Sequence, residues 1–358
     1  MTEHPIDRAL GALRGPSGKR LESSGSSVVT RERADDLAEQ ARIALPTLAG
    51  GASPVEAARL AYASALINEG HAALKEVVAR GQGAALTMDQ CAGLEAIVRL
   101  TERPSLPIRG GSVEEATKEW AEPLALARTL IEQSIAGVGR LRVPEFADPY
   151  LGTAFLADVD LAMTNVHVAI QFAERKGSGW KVGTGLSPIV DFLAEDGSAA
   201  RREFRVTSIE CLHPDARLDL AVLRLARTGE QGQLLPQPLP LNGDPTRVKQ
   251  GARVYVIGYP AADDRFDLSL VDAVFGRALS VKRLAPGEIL ATRQEGLEFT
   301  HDCSTLRGNS GSCVLDLAMS RVYGLHRSGT AGIENRATSI AHTRQDLRLR
   351  DLGIHFLS

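Results

Sequence analysis

The spacing of apolar residues changes along the chain, and the change divides it into two parts. In the first part, apolar residues recur every three or four positions, as on the buried face of an amphipathic helix; Leu37, Ala41 and Leu45 are one example. From about Val138 this period is lost, and short apolar segments separated by Gly, Pro and Asp follow one another. The pattern predicts an α+β multidomain chain, in which an all-α helical module precedes an all-β domain.

Three capping boxes predict where helices of the first part begin. In each box a Ser or Thr is followed three positions later by Glu or Gln, which satisfies the free N–H groups of a helix start. The boxes are Ser53 with Glu56, Thr87 with Gln90, and Ser112 with Glu115. Pro54 fits the first position of the helix that opens at Ser53, and this helix is predicted to end near Gly81. Pro46 is expected to end the preceding helix and Pro123 to kink the last one, and residues 103–111 are expected to cross in extended form.

Short β-rich segments succeed one another in the second part, with no helical period between them. The predicted strands are residues 139–143, 152–157, 161–168, 203–212, 219–225, 253–259, 268–284, 297–303, 312–317 and 321–327. Many short strands in succession are typical of a barrel or a sandwich.

The two patterns and a polar N-terminus define three predicted segments. Residues 1–28 contain Gly-Pro-Ser-Gly and Ser-Ser-Gly-Ser-Ser and too few apolar residues to build a core, so we expect a flexible tail. Residues 29–137 are predicted to be the helical module, with a regulatory or adaptor role. Residues 138–358 are predicted to be the β-rich domain.

Composition and charge exclude several classes of protein. The chain has 358 residues, of which 44% are hydrophobic and 24% charged, as in an ordinary globular protein. A formal net charge of −3 argues against nucleic acid or a membrane surface as the main partner. No apolar run approaches the roughly 18 residues that span a bilayer. The polar N-terminus lacks the apolar region of a secretory signal, so we expect a cytoplasmic protein.

The cysteines and acidic residues give no metal or cofactor signature. Cys91, Cys211, Cys303 and Cys313 are far apart and form no Cys-x-x-Cys pair, so buried free thiols are expected, with a Cys303–Cys313 bridge as the alternative. The acidic residues at 263, 264 and 267 lack the spacing of a calcium loop and are read as a solvated loop. No cofactor and no metal are predicted.

The candidate chemistry begins with residues 307–312, which read Arg-Gly-Asn-Ser-Gly-Ser between two apolar segments. A serine at a glycine-rich bend between strands exposes its hydroxyl and leaves backbone N–H groups to face a negative oxygen. Those are the nucleophile and the oxyanion hole of acyl transfer. Glycine-flanked serines also occur in ordinary turns, so Ser310 needs partners elsewhere.

Two further residues supply the partners. His167 lies at the end of the apolar strand 161–168, and Asp219 opens the otherwise apolar strand 219–225. A histidine can take the serine proton and return it to the leaving group, and a buried aspartate would hold the imidazole in one tautomer. The alternatives are that His167 merely caps a strand and that Asp219 merely terminates one. The order His…Asp…Ser, at these intervals, suits a double barrel with its site between the halves.

Five ordered motifs give a resemblance to a known family. They are Gly-Thr-Ala-Phe-Leu at 152–156, Thr-Asn-Val-His at 164–167, Asp-Leu-Ala-Val-Leu at 219–223, Gly-Tyr-Pro at 258–260 and Gly-Asn-Ser-Gly-Ser at 308–312. Over about 138–345 the chain resembles bacterial trypsin-like (chymotrypsin-fold) serine peptidases. The resemblance implies a double β-barrel closed by a C-terminal helix near 344–349. It also implies His167 as general base, Asp219 as its orienting acid and Ser310 as nucleophile, with the N–H groups of Gly308 and Ser310 as oxyanion hole.

Two positions depart from the family pattern. Secreted digestive relatives have an aspartate before the nucleophile, which pairs with a freshly cut N-terminus, whereas this chain has Asn309. Activation through that ion pair is therefore not expected, and regulation should come from the helical module or from loop ordering. Ala154 stands where relatives commonly have glycine, and we expect little consequence.

The predicted specificity pocket lacks the carboxylate of trypsin-type enzymes, since Ser304 occupies the expected base of the pocket. Thr305 and His326 together resemble the pocket of glutamyl endopeptidases, where a hydroxyl and an imidazole meet an acidic side chain. Arg307 adds positive potential, and Ser328 and Gly329 are expected to pair with the substrate backbone. The alternative is that His326 is a packed core residue and that the pocket takes small or apolar side chains.

The sequence therefore predicts a serine endopeptidase that acts on a protein or peptide substrate. A protein partner is expected to dock on the helical module and to control or target the enzyme. Such fusions look similar to bacterial signalling and conflict-system proteases, by analogy of architecture. The alternatives are a scaffold with a retired protease domain and a housekeeping quality-control protease, although no peptide-binding PDZ domain is expected after the barrels. His71, His213, His301, His342 and His355 are expected to have ordinary surface or core roles.

Overall fold

The computed structural model describes residues 30–48, 54–80, 84–113, 117–261, 279–330 and 334–358. The predicted tail, the capping box at Ser53, the acidic loop at 263–267 and part of the predicted strand 268–284 lie outside these ranges. None of the described helices is long and apolar enough to span a membrane.

Three helices lie at the start of the described chain, as predicted. They are α1 Arg31–Leu48, α2 Pro54–Arg80 and α3 Met88–Thr101. The capping box of α3 is confirmed, because Thr87 Oγ1 accepts the Gln90 N–H at 3.2 Å and Gln90 Oε1 accepts the Thr87 N–H at 3.0 Å. The predicted stop at Pro46 is wrong, since α1 runs on to Leu48. A proline removes one N–H from a helix, and the last turn keeps the others.

The three helices share a core of their own. It contains Leu37 and Ala41 of α1, Ile67 and Leu74 of α2, and Ile97 of α3, all fully buried. Two glycines set the distance between α2 and α3, because a Cβ atom added to Gly93 would come 2.3 Å from the backbone nitrogen of Gly70. The apolar spacing that predicts these helices thus also forms the interface between them.

The capping box predicted at Ser112 is wrong. Strands β1 Leu106–Arg109 and β2 Ser112–Val113 form a hairpin, and the next helix, α4, is Lys118–Ala136. Gly110 and Gly111 have φ values of 58° and 75°, a left-handed turn that glycine adopts readily and that a helix start does not use. The extended crossing expected at 103–111 is therefore the first strand of this hairpin.

Six antiparallel strands close the first barrel. They are β3 Val138–Arg142, β4 Tyr150–Asp158, β5 Leu161–Asn165, β8 Ile189–Asp191, β9 Glu203–Leu212 and β10 Leu220–Leu225. A short helix, α5 Val166–Ala169, follows β5, and the hairpin β6 Ala173–Lys176 and β7 Gly179–Val182 precedes β8. The predicted strand 161–168 thus ends at Asn165, and His167 lies in α5.

Six further strands close the second barrel, because their pairing runs β12–β15–β16–β17–β14–β13 and returns to β12. They are β12 Arg253–Gly258, β13 Arg283–Arg293, β14 Glu298–His301, β15 Cys313–Asp316, β16 Val322–Thr330 and β17 Glu334–Ser339. The prediction of strand at 279–282 is wrong, since β13 starts at Arg283. Strand β1 pairs with β13, the short strand β11 Leu241–Asn242 pairs with β16, and β18 Phe356–Leu357 pairs with β11. The predicted order of helices and two barrels is confirmed.

The closing helix near 344–349 is shorter than predicted and shifted. Helices α6 Ile340–Thr343 and α7 Leu347–Asp351 stand in its place. Asp346 is the cap of α7, since its Oδ1 accepts the Arg348 N–H at 2.9 Å. A capping aspartate takes an extended backbone and so separates the two turns.

The apolar strands divide their side chains between two cores. Along β10, Ala221 and Leu223 point into the first barrel, whereas Leu220 and Val222 point into a core shared by the two barrels and α4. This alternation follows from the two-residue period of a strand, and burial of both faces explains the nearly continuous apolar sequence. Trp120 of α4 belongs to the shared core. The domain boundary at 137/138 stays a prediction.

All four cysteines are free thiols, so the alternative Cys303–Cys313 bridge is wrong. Burial raises the pKa of the Cys313 thiol to about 12 and that of Cys211 to about 11. Both therefore remain protonated at neutral pH and pack as small apolar side chains.

Candidate active site

The first pair of candidate residues is in direct contact. Nδ1 of His167 lies 2.7 Å from Oδ2 of Asp219, and Oδ1 of Asp219 accepts the backbone N–H of His167 at 3.1 Å. The Asp219 side chain is 17% exposed and the His167 side chain 46% exposed, so the imidazole reaches solvent while the carboxylate lies behind it. The carboxylate accepts a hydrogen bond from the Nδ1–H, which leaves Nε2 as the basic nitrogen of the neutral ring.

The loop that carries Asp219 is fixed from both barrels. The Asp219 carbonyl accepts Asn165 Nδ2 at 3.0 Å and the Val166 N–H at 3.1 Å, both from the first barrel. From the second barrel, Thr338 Oγ1 donates to the Leu218 carbonyl at 2.7 Å. Asp219 has a φ of 46°, in the left-handed region that aspartate tolerates better than most side chains. These bonds hold it in that conformation.

Ser310 is held between the two barrels by its neighbours. Its carbonyl accepts the Thr153 N–H of β4 at 2.8 Å, and the next N–H, of Gly311, donates to the His326 carbonyl of β16 at 2.9 Å. A Cβ atom on Gly311 would lie 2.0 Å from the Thr153 carbonyl oxygen and 2.5 Å from Thr164 Oγ1. The loop that carries Ser310 therefore packs against the end of β5, just before the helix that carries His167.

A hydrogen bond to the preceding carbonyl sets the direction of the Gly308 N–H. The Arg307 carbonyl accepts the Ala261 N–H at 2.7 Å. In a trans peptide the C=O and N–H point in opposite directions, so the Gly308 N–H points away from Ala261. Within the described ranges, the N–H groups of Gly308 and Ser310 donate to no protein acceptor. Two donors are thus available beside the serine.

Residues 152–325 match the family model of the trypsin-like peptidase domain. The chain carries a trypsin-like peptidase domain. The match spans both barrels and includes His167, Asp219 and Ser310. No curated protein sequence matches the chain.

Several solved structures resemble the chain. A serine-to-alanine mutant of Rv3671c from M. tuberculosis H37Rv, in an inactive form, is 19% identical, with 64% of this chain and 90% of that chain covered and a TM-score of 0.39. The HtrA-type protease AlgW with a decapeptide is 19% identical, with 65% and 66% covered and a TM-score of 0.40. The Rv3671c protease in its inactive form is 20% identical, with 64% and 96% covered and a TM-score of 0.40.

Asn309, the residue before the serine of the peptidase domain, is buried and satisfied locally. Its Nδ2 donates to the Leu306 carbonyl at 3.3 Å, and its Oδ1 accepts Ser312 Oγ at 3.3 Å. A neutral amide in this place needs no counter-ion. The loop is closed by its own hydrogen bonds.

The residues predicted for the specificity pocket lie in the segment before Ser310 and on β16. Two of them have hydrogen-bond partners that the sequence did not suggest. Ser304 Oγ donates to the Arg103 carbonyl at 2.6 Å, and Thr305 Oγ1 donates to Asn335 Oδ1 at 2.6 Å. Arg307 and Ser328 are exposed, and Gly329 is half-buried. The pairing of β15 with β16 ends at Leu325. Ser328 and Gly329 therefore lie in the part of β16 that β15 does not pair with.

His326 belongs to a buried pair of histidines. His301 Nε2 lies 3.2 Å from His326 Nδ1, and the two rings pack edge to face. Burial lowers the pKa of His301 to about 3, so its ring is neutral at physiological pH. His301 is thus a core residue, one of the two ordinary roles expected for it, and the sequence did not suggest its partner. Its strand, β14, gives no sequence signal that it faces β16.

Several residues near the candidate site escaped sequence reasoning because their partners are far along the chain. Arg327 donates to the Arg217 carbonyl at 2.7 Å and forms an ion pair with the buried Glu298, next to the Asp219 loop. Elsewhere, His213 pairs with Asp346, His71 with Asp35 and His355 with Asp158. Among the described residues, no group of three His, Cys, Asp or Glu side chains could hold a metal ion.

Proposed function

We propose that the chain is a serine endopeptidase that cleaves a protein or peptide substrate through an acyl-enzyme. The observation that supports this most is the His167–Asp219 contact of 2.7 Å, together with a glycine-bounded serine whose loop is hydrogen-bonded to both barrels and packs against the strand that precedes His167. Asp219 orients the imidazole, His167 is the general base, and Ser310 is the nucleophile. The N–H groups of Gly308 and Ser310 are the oxyanion hole.

Each step of the proposed reaction is assigned to one of these groups. Ser310 Oγ attacks the scissile carbonyl carbon while its proton passes to His167 Nε2, and the carbonyl oxygen becomes an oxyanion that the two N–H groups stabilise. The C–N bond then breaks as His167 gives its proton to the leaving amine. A water molecule, deprotonated by the same Nε2, attacks the acyl-enzyme and releases the acid.

We also propose that the pocket prefers an acidic side chain before the cut. His301 Nδ1 is buried and has no hydrogen-bond partner among the residues that the structure describes. An unpartnered acceptor costs less than an unpartnered buried N–H, so the His301 proton belongs on Nε2, where it donates to His326 Nδ1. His326 then carries its proton on Nε2. The exposed Arg307 adds a positive charge, and Thr305, whose hydroxyl donates to Asn335 Oδ1, lies in the same segment.

A peptide library tests activity and pocket chemistry together. The wild-type chain should cleave after Glu or Asp, and Ser310→Ala should cleave nothing. His326→Leu should lose the acidic preference while retaining cleavage after other residues. Cleavage by Ser310→Ala would exclude the proposed nucleophile, and a profile without Glu or Asp would exclude the acidic pocket. Broad digestion of casein would favour a housekeeping protease, and a wild-type chain that cleaves nothing would favour a scaffold.

The helical module is proposed to control the peptidase through the wall of this pocket. Leu306 forms a buried cluster with Leu66 of α2 and Ala96 of α3, and Leu279 packs against it. The Arg103 carbonyl, just after α3, holds Ser304. The module thus contacts Ser304 and Leu306, in the segment that leads to Gly308, and it also packs near Leu279. A partner that moves α2 and α3 would move these contacts.

Two matched leucine variants distinguish control of peptidase activity by the module from a general loss of stability. Leu66→Ala should lower kcat/KM by about 3- to 30-fold, because the pocket wall loses its support. Leu74→Ala removes the same atoms from the core of the module, away from Leu306, and should lower the melting temperature without this loss. Equal kcat/KM for the two variants would exclude control through Leu66. We place such control, by a protein partner, in a bacterial signalling or defence system; the cytoplasmic location stays a prediction.

A further inference from the structure

We propose that Tyr150 and Thr153 are positioning residues for the oxyanion hole, acting through the Gly308 carbonyl. This inference rests on the proposed peptidase function and adds two residues of β4 to it. Neither hydroxyl reaches the serine or the histidine in the observed hydrogen bonds. Their effect is on the conformation of the loop that supplies the N–H donors.

Both hydroxyls meet one acceptor. Tyr150 Oη lies 2.8 Å from the Gly308 carbonyl oxygen, and Thr153 Oγ1 donates to the same oxygen at 2.9 Å. Tyr150 Oη is also within hydrogen-bond reach of the Tyr259 carbonyl, and Thr153 Oγ1 accepts the Tyr259 N–H at 3.3 Å. The Gly308 oxygen has two lone pairs and can accept both hydroxyls, but the single proton of Tyr150 goes to only one of the Gly308 and Tyr259 carbonyls at a time, whereas Thr153 donates to Gly308 alone.

Gly308 needs such anchoring because its backbone conformation requires glycine, which rotates easily. Its φ is 88°, and a Cβ atom there would come 2.5 Å from Tyr150 Oη and from the Tyr259 carbonyl oxygen. Glycine is therefore required, and glycine offers little resistance to rotation of the peptides on either side. The Ala261 N–H fixes the peptide before Gly308, and the two hydroxyls fix the peptide after it. Without them, the peptide between Gly308 and Asn309 can rotate about Gly308, so the direction of the Gly308 N–H relative to the Ser310 N–H is no longer fixed.

The same strand also holds the far side of the nucleophile. The Thr153 N–H donates to the Ser310 carbonyl at 2.8 Å, and the Thr153 carbonyl accepts Thr164 Oγ1 at 2.8 Å. Strand β4 thus binds the carbonyls of both residues whose N–H groups form the hole. Burial raises the pKa of Tyr150, which keeps its hydroxyl a neutral donor at all physiological pH values.

The test is kinetic and uses the full chain. Tyr150→Phe and Thr153→Val each remove one donor while retaining shape. Each should lower kcat by about 10-fold, and the pair together by about 100-fold, approaching the effect of losing an oxyanion-hole donor. KM should stay within about 2-fold, since the contacts to the ground-state substrate are unchanged. A peptide aldehyde with the preferred library residue should lose affinity by the same factor as kcat/KM.

Two control variants make the result specific. Thr153→Ser keeps the donor and should retain near wild-type kcat. Tyr255→Phe removes another buried tyrosine hydroxyl, bonded to Ser320 Oγ at 2.6 Å in the shared core, and should leave kcat unchanged. Melting temperatures show which variants are folded, and the single variants decide the matter if the double variant does not fold.

Two outcomes would overturn the inference. Wild-type kcat in folded Tyr150→Phe and Thr153→Val would do so, and so would a loss confined to KM. Failure of the proposed function looks different: the wild type itself would neither cleave peptides nor bind the aldehyde, and the inference would fall with it.

Discussion

Asp219 combines two tasks in one side chain. It accepts both the ring N–H and the backbone N–H of His167, and it does so from a left-handed backbone conformation. A carboxylate is the only common side chain that presents two acceptors and no donor in this shape. The residue therefore sets the tautomer of the imidazole as well as its position.

Asp219→Asn should abolish most activity without unfolding the protein. The amide group would offer an N–H to His167 Nδ1 and so favour the tautomer that has its proton on Nε2. We expect a loss of about 10³- to 10⁴-fold in kcat, as the Ser-His-Asp template predicts, measured by initial rates on the best library peptide.

The matched control is Asp215→Asn, which removes a negative charge from the same loop. Asp215 pairs with Arg217, whose hydrogen bonds lower the pKa of this carboxyl to about 2, but it has no contact with His167. Its loss should leave kcat within about 2-fold. A similar loss in both variants would show that charge near the loop, and not orientation of the ring, is what matters.

At the scale of elements, the interface of α2 and α3 depends on glycine at two facing positions. A Cβ atom on Gly93 would overlap backbone atoms of both Leu66 and Gly70, which no rotamer change relieves. The helices would have to separate, and Leu66 and Ala96 would then lose their contact with Leu306. Helix packing and pocket geometry are linked at this point.

Gly93→Ala should therefore destabilise the module despite the better helix propensity of alanine. We expect a loss of about 1–3 kcal/mol in the free energy of unfolding, from overpacking, measured by denaturant unfolding followed by circular dichroism. Glu69→Ala, on the exposed face of α2, should change stability by less than about 0.5 kcal/mol. A Gly93→Ala protein as stable as the wild type would show that the helices separate without cost.

Sequence patterns predict the elements here when the signal is local. The helical periods, the capping box of α3 and the ordered motifs around residues 167, 219 and 310 are all contained in short segments. The capping box predicted at Ser112 is wrong because Ser112 lies in β2, whose partner β1 is held in the sheet by β13, far along the chain. The His301–His326 pair and the Tyr150–Gly308 contact were missed for the same reason, since each joins distant strands.

At the scale of the whole molecule, one buried lysine joins the parts. Lys282 Nζ donates to the Ile135 carbonyl of α4 at 2.8 Å and to the Phe192 carbonyl at 2.7 Å, and it lies 3.9 Å from Glu195. Burial lowers its pKa from 10.5 to about 8, against the opposing effect of Glu195 and Asp191. The helix, the first barrel and the start of β13 meet at this side chain.

Lys282 should make stability depend on pH. The folded protein releases the lysine proton near pH 8, whereas the unfolded chain keeps it up to about 10.5, so unfolded chains bind more protons in between. The free energy of unfolding of the wild type, relative to Lys282→Met, should therefore rise from pH 8 to pH 10.5 and be constant below pH 8. A difference that stays flat or falls over that range would contradict the buried, shifted lysine.

Ser310, activated by His167, is proposed to be the nucleophile. Labelling with a fluorophosphonate probe, followed by mass spectrometry of the digested protein, tests this directly. We predict one adduct, on the peptide that contains Ser310, formed at least about 100-fold more slowly in His167→Ala. No adduct in the wild type, an adduct on another residue, or equal rates in the two proteins would contradict it.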